Sequence, residues 1–315
     1  MKAFVIGASN IDIIARSSKM VVAADSNIGT VEKDPGGVGR NIASALNAMG
    51  FEVTLLTALA DDDYGRFIAS DLERQGIRLC CKPFSGADDH TGVYCCIMDA
   101  DGSLVCAVND MAINSHLNPD LVAGHLDEIN AADYVVFDAN LPQETIDYIS
   151  KLDVKLVSDC VSTLKAPKLQ NSLENLYLLK ANFLEACTLA EAQGVEQDAD
   201  GLDEVMQALV AKGLRRAIIS LGGDGAFCYE VSGTGTRGYE AKVPEGLDVV
   251  STNGCGDVLI AAFLRAMSEG LPMEDALNYG QAASGINAES MEAVSPNLSY
   301  ENVKRKAEER YEQIH

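Results

Sequence analysis

Gly254-Cys255-Gly256-Asp257 opens the apolar run of residues 258–267. It follows Val249-Val250-Ser251-Thr252-Asn253, a β-rich stretch expected to form a strand end and turn. Two glycines flanking one small residue let backbone N–H groups turn toward a common point. The helix that follows adds its orphan amides and the positive end of its dipole. Such a corner binds an anion, or the negative charge of a transition state. The carboxylate of Asp257 lies in the first turn, where it would repel a phosphate but could accept the proton of an attacking hydroxyl. A capped helix start uses the same residues, since Asp is common in first turns. These four residues alone leave both readings open.

Other clusters share this character. Pro35-Gly36-Gly37-Val38-Gly39-Arg40-Asn41 is a second glycine-rich turn entering a helix. It fails the dinucleotide pattern because Ile42 takes the place of the last glycine, and no G-x-x-x-x-G-K-[ST] loop occurs in the chain. Its glycines would let backbone approach a ligand, with Asn41 offering donors and acceptors, or would simply form a tight helix entry. Asn10 and Asp12 follow the first strand, where open α/β sheets place ligands; they suit vicinal hydroxyls or a local turn. Lys180-Ala181-Asn182-Phe183-Leu184-Glu185 ends another strand. Asn182 and Glu185 could hold Mg²⁺ partly through water, or form a capping box. Ser220-Leu221-Gly222-Gly223-Asp224-Gly225 opens a hairpin and leaves nucleotide contact optional.

The elements that must position these residues alternate. Residues 4–7, 53–59, 134–138, 155–158, 177–179 and 217–221 have the apolar character of strands. Residues 40–49, 64–75, 143–150, 183–192 and 202–212 have helical periodicity. Strands buried on both faces and separated by helices predict a doubly wound, mostly parallel α/β sheet flanked by helices. Two segments break the rhythm: 13–31 lacks helical periodicity, and 92–108 suggests two strands around Asp99-Ala100-Asp101-Gly102. A small β-sheet lid inserted into one 1–315 domain is the expectation. Segments 226–231 and 236–241 suggest a further hairpin around Ser232-Gly233-Thr234-Gly235.

Composition narrows the function. Asp and Glu number 47 against 24 Lys and Arg, a net charge of −23, which disfavours nucleic acid and anionic membranes. The expected ligand is small, with any phosphate held by local donors. The nine cysteines include the vicinal pairs Cys80-Cys81 and Cys95-Cys96, and adjacent strand residues point to opposite faces. Reduced thiols are expected. The four histidines (His90, His116, His125, His315) lack zinc-ligand spacing. Met1 to Gly7 is too short an apolar run for a signal peptide, and no stretch approaches the ~18 apolar residues of a membrane span. A soluble, cytoplasmic protein is expected.

Taken in order, Asn-x-Asp, Gly-Gly-x-Gly-x-Asn, Asn-x-x-Glu, Gly-Gly-x-Gly and Gly-x-Gly-Asp resemble the ribokinase-like (PfkB) carbohydrate kinase family over essentially the whole chain. The resemblance implies an ATP- and Mg²⁺-dependent kinase. In it Asp257 is the catalytic base, and Gly254, Cys255 and Gly256 form the anion hole. Asn10, Asp12, Gly36, Gly37 and Asn41 hold the acceptor. Lys180, Asn182, Ser220, Gly223, Gly225 and Asn287 bind ATP, while Asn182 and Glu185 organise the metal. Cys255 replaces the family's usual Ala, which leaves the backbone amide free. Ser251 stands where many members carry an Asp that helps bind K⁺, which puts monovalent-cation activation in doubt.

Three strings (Gly36-Gly37-Val38-Gly39-Arg40-Asn41, Ala107-Val108-Asn109-Asp110-Met111 and Ser295-Pro296-Asn297-Leu298-Ser299) resemble the pseudouridine kinases within that family. They imply that Asn109 and Asp110 also face the acceptor. The implied reaction is phosphorylation of a ribosyl hydroxyl, with ribose or adenosine as alternative acceptors. A sugar- or nucleotide-sensing protein on the same scaffold is the non-enzyme alternative. The exposed lid could pair with a second copy.

Overall fold

The computed structural model describes residues 1–80, 82–233 and 235–314. Cys81, Thr234 of the expected hairpin turn and His315 therefore lie outside the described residues. Thirteen strands occur among the described residues. They are β1 (Lys2–Ile6), β2 (Asn10–Ser17), β3 (Gly29–Gly36), β4 (Glu52–Leu56), β5 (Arg78–Leu79), β6 (Val93–Met98) and β7 (Leu104–Asp110), followed by β8 (Tyr134–Asp138), β9 (Leu156–Asp159), β10 (Leu178–Asn182), β11 (Arg216–Ser220), β12 (Ala226–Ser232) and β13 (Gly235–Ala241).

Nine strands form one sheet in the order β13-β12-β11-β10-β9-β8-β1-β4-β5. All its pairs are parallel except β11–β12 and β12–β13. Alternate residues of the central strands feed two cores. Ala3, Val5, Val53 and Val136 face one side, and Phe4, Ile6, Leu56 and Phe137 face the other. Burial on both faces is why these strands are continuously apolar. The chain leaves β1 toward β4 on one side and reaches β8 on the other. The carboxyl end of β1 is thus a topological switch point, where a crevice opens.

The second sheet is four-stranded, in the order β3-β2-β6-β7. It is wider than the expected lid. β2 begins at Asn10 and β3 runs through Gly36, so Asn10, Asp12 and Gly36 belong to the root of the lid rather than to loops. One reason is compositional: β3 is exposed along most of its length and shows no apolar alternation.

Val249 to Thr252 is not a strand end. Val249 and Val250 are exposed, and the amides of Val250 and Ser251 donate to the Ala288 carbonyl (2.8 and 3.1 Å) instead of to a sheet neighbour. The helix Cys255–Ser268 then runs almost wholly buried between the helices Val38–Ala48 and Met273–Ala288. No helix among the described residues is long and apolar enough to cross a membrane.

Candidate active site

Gly254 N-caps the helix Cys255–Ser268 in the left-handed region (φ +72°), and a side chain there would run into the Ala293 carbonyl. Glycine is required on both counts. The Cys255 amide turns back to the Thr252 carbonyl at 3.3 Å. The first-turn amides of Gly256 and Asp257, which have no acceptor within the helix, are the better placed pair of donors. Cys255 contributes its backbone to the wall instead: its carbonyl accepts from Ser284 Oγ at 2.9 Å.

Asp257 is buried, and Asn41 Nδ2 donates to its Oδ2 at 3.1 Å. Burial pushes its carboxyl well above the ordinary range. Asp159 adds to the shift, while Lys180 and the Asn41 hydrogen bond oppose it. Lys180 Nζ lies 3.1 Å from Asp159 Oδ2 and packs directly over Gly256, which has no side chain to displace it. Desolvation alone would lower the Lys180 ammonium, but Asp159, Glu185 and Asp257 outweigh it and the group is held charged. Asp138 lies beneath, fully buried, with Oδ2 accepting from the Ala8 amide (2.9 Å) and Oδ1 from the Asn140 amide (2.8 Å).

Asp138 and Asp159 were not singled out in the sequence, although each ends an apolar strand at the sheet's carboxyl edge. An acid as the last residue of a buried strand was the available signal.

The residues expected to hold the acceptor gather around β1 and the lid root. Asn10 Nδ2 donates to Asp12 Oδ1 at 2.6 Å, and burial raises the Asp12 carboxyl. Gly37 (φ +97°) lies against the backbone of Ala8 and Ser9, and Gly36 against the Asp12 carboxylate, so a side chain fits at neither position. Asn109 and Asp110 do not act together. Asn109 is in register with Tyr94, and Tyr94 with Asp12, which puts these three on one face. Asp110 points to the opposite face and is bonded to His90 Nε2 at 2.7 Å.

A cavity of about 390 Å³ adjoins the other side of Gly256. It brings together Lys180, Asn182, Ser220, Gly223, Gly225 and Cys255. Val243, Leu247, Val249, Gln281 and Ser284 are among its other walls. Val243 and Leu247 lie in the loop around Pro244 and Gly246, and Gln281 and Ser284 on the helix Met273–Ala288; none of these four carried a motif. Asn287 does not line the cavity. It is fully buried, with Nδ2 donating to the carbonyls of Asn253 (2.9 Å) and Ala293 (3.2 Å) and Oδ1 accepting from the Ser295 amide. Its amide locks the loops around the helix start, so no face remains for an adenine. A larger cavity of about 650 Å³, lined by Thr163, Leu184, Thr188 and Glu191, holds none of the expected residues.

Asn182 and Glu185 form a capping box. Asn182 Oδ1 accepts from the Glu185 amide and Glu185 Oε2 from the Asn182 amide, both at 2.8 Å. One oxygen of each is thereby engaged, and the Glu185 carboxylate interacts with the charge of Lys180. A carboxylate and an amide of this kind fit Mg²⁺ held through water better than Mg²⁺ ligated directly. The Cys80–His125–Glu128 group lies elsewhere, at the amino edge of the sheet, and is closed by Arg78 and His125 bonding to Glu128.

This arrangement pairs a buried carboxylate with a helix N-terminus and an adjoining cavity, a layout suited to group transfer. The pfkB family carbohydrate kinase model matches residues 1–299. The pseudouridine kinase of Escherichia coli (strain K12) is 31% identical over 305 residues, covering 95% of this chain and 94% of that protein. The ribokinase of Bacillus subtilis (strain 168) is 26% identical over 290 residues, covering 90% and 91%. A carbohydrate kinase from Agrobacterium tumefaciens superposes with a TM-score of 0.82 at 28% identity, covering 98% and 97%. The fold is ribokinase-like, and the chain belongs to the pfkB family of carbohydrate kinases, phosphotransferases acting on a sugar or nucleoside hydroxyl.

Proposed function

We propose that the protein transfers the γ-phosphoryl group of ATP to the 5′-hydroxyl of pseudouridine. The observation that carries this reading is the near full-length similarity to the Escherichia coli pseudouridine kinase. The acceptor lies between the lid root and β1, held by Asn10, Asp12, Gly36, Gly37 and Asn41. ATP occupies the 390 Å³ cavity, with Lys180, Ser220, Gly223 and Gly225 beside it. The two ligands meet at Gly256.

Asp257 takes the hydroxyl proton as the oxygen attacks, and its burial makes it a stronger base than a solvated carboxylate. Charge on the transferring group falls on the first-turn amides and on Lys180, which are in place before reaction. In a chain of net charge −23, Lys180 and the helix N-terminus are the local groups that would meet a polyphosphate. A magnesium ion, when bound, neutralises phosphate charge, and Asn182 and Glu185 would hold it through water. The lid's two open edges (β3 and β7) and exposed Val31 and Val108 support a homodimer.

The similarity to ribokinase supports a second acceptor, free ribose. Purified protein with Mg²⁺–ATP, assayed for ADP release on pseudouridine, uridine, adenosine and ribose, separates the readings. Pseudouridine is expected to give the highest kcat/KM. Faster turnover of ribose or adenosine overturns the acceptor and leaves the phosphotransferase class standing.

A further inference from the structure

Arg40 precedes Asn41 on the helix Val38–Ala48 and is buried, with both ends of its guanidinium fork engaged by protein groups. Its Nη2 pairs with Asp71 Oδ2 at 2.5 Å. Its Nη1 donates to Asn41 Oδ1 (3.3 Å) and to the Pro35 carbonyl near the end of β3 (3.2 Å). Asp71, on the helix Asp63–Gln75, also accepts from Arg74 and Gln75, each at 2.8 Å. The same helix meets the lid through Tyr64 and Phe67, whose rings lie 5.6 and 5.7 Å from Lys33 Nζ on β3.

A guanidinium has donors and no acceptor. The Asn41 atom that faces Arg40 must therefore be the oxygen. The N–H₂ end is then turned to Asp257, where a donor is needed. A flipped amide would set an oxygen against the Asp257 carboxylate. Arg40 Nε, meanwhile, is buried with no partner among the described residues, a cost that packing alone does not explain.

We propose that Arg40 is a positioning residue: held by Asp71, it fixes the Asn41 amide with its N–H on Asp257 and ties the end of lid strand β3 to that pair. Arg40 touches neither reacting atom. It decides whether the base is presented with its lone pair aimed at the acceptor hydroxyl. A misplacement of about 1 Å at such a site costs up to roughly 100-fold in rate. The proposal rests on Asp257 acting as the base.

The test uses the full chain carrying Arg40→Met, Arg40→Lys or Asp71→Asn. Arg40→Met removes every donor at similar length, while Asp71 keeps Arg74 and Gln75 and the fold is supported. It is expected to lower kcat roughly 10- to 100-fold with unchanged ATP affinity. Arg40→Lys, which still donates, should recover part of that loss. Asp71→Asn should give a smaller fall in kcat. Parent-level kcat in Arg40→Met overturns the proposal. So does a loss matched by falling Tm and ATP affinity and not recovered by Arg40→Lys. If Arg40→Met does not fold, Asp71→Asn decides, and an unchanged kcat there overturns it.

A second readout needs no acceptor. The Asn41 side-chain amide NMR signals, assigned by their loss in Asn41→Ala, should exchange slowly in the parent and fast in Arg40→Met. Should the parent phosphorylate no acceptor in the panel, the acceptor reading fails by itself, and the amide signals still decide on Arg40. Equal exchange in parent and variant overturns the positioning role.

Discussion

Asn41 and Asp257 are 216 positions apart and joined by a 3.1 Å hydrogen bond inside the protein. One is on the helix after the lid strand and the other on the helix after the anion corner. Their bond closes the site between the lid side and the nucleotide side. The carboxylate it reaches is crowded: burial raises it, Asp159 and Asp138 add to the shift, and Lys180 and Asn41 relieve it.

Asp257→Asn should separate catalysis from stability. Turnover is expected to fall roughly 10²–10⁴-fold, since the amide cannot take the proton. ATP affinity should survive. Because the folded-state value of Asp257 is raised, ionisation opposes folding, and the stability it costs grows as pH rises from the unfolded value to the folded one. Above that window the Asn variant should be the more stable protein, by about 0.5–2 kcal/mol. Thermal melts and kcat at neutral to alkaline pH check both halves. A variant with near-parent turnover would remove Asp257 from the mechanism.

The same crowding sets a pH profile. The base must be ionised, so kcat/KM should fall on the acid side with a midpoint above the ordinary carboxylate range of about 4. Asn41 lowers the Asp257 value by hydrogen bonding. Asn41→Ala should therefore move the acid limb to higher pH. A limb that stays in place, or moves down, would mean that another group controls it.

Much of the main sheet was legible because its strands are buried on both faces and its helices carry capping signals, such as Asp62 and Gly76 around Asp63–Gln75. The lid's limits were not. β3 and β7 are largely exposed, and a strand without a buried face has no alternation to read. Val249 and Val250 misled for a related reason: β-branched residues fit a strand, but here both are exposed and Val249 lines a cavity. Asp138 and Asp159 were hidden at the ends of strands read only for their apolar content. The Arg40–Asp71 pair spans 31 positions and two helices, a separation at which one sequence gives no pairing signal.

Two glycines should respond in opposite ways. Gly254→Ala must accept a positive φ and a clash with the Ala293 carbonyl, so loss of folded protein is expected. Gly223→Ala meets no atom within 4 Å. It should fold normally and weaken only ATP binding, because the new methyl enters the cavity. Soluble yield, melting temperature and ATP titration distinguish the two; a well-folded Gly254→Ala would contradict the geometry of the corner.

Two adjacent lid residues, Asn109 and Asp110, face opposite ways. Asn109 shares the face of Asp12 and Tyr94, and Asp110 is bonded to His90 on the other face. If pseudouridine is the acceptor, Asn109 is the residue of the pair able to meet its base. Pseudouridine carries a ring N–H that uridine lacks; Asn109 is exposed like the rest of β7, so its oxygen is left buried and unpaired with uridine only where the bound acceptor covers it. That costs ~1–3 kcal/mol, a preference of roughly 5- to 150-fold at about 1.4 kcal/mol per decade. Asn109→Ala should shrink the pseudouridine-to-uridine ratio of kcat/KM toward one while leaving ribose turnover intact. Asp110→Ala should free His90 and change that ratio little. A collapse of the ratio in Asp110→Ala, with Asn109→Ala unaffected, would place the base on the opposite face of the lid and refute this assignment.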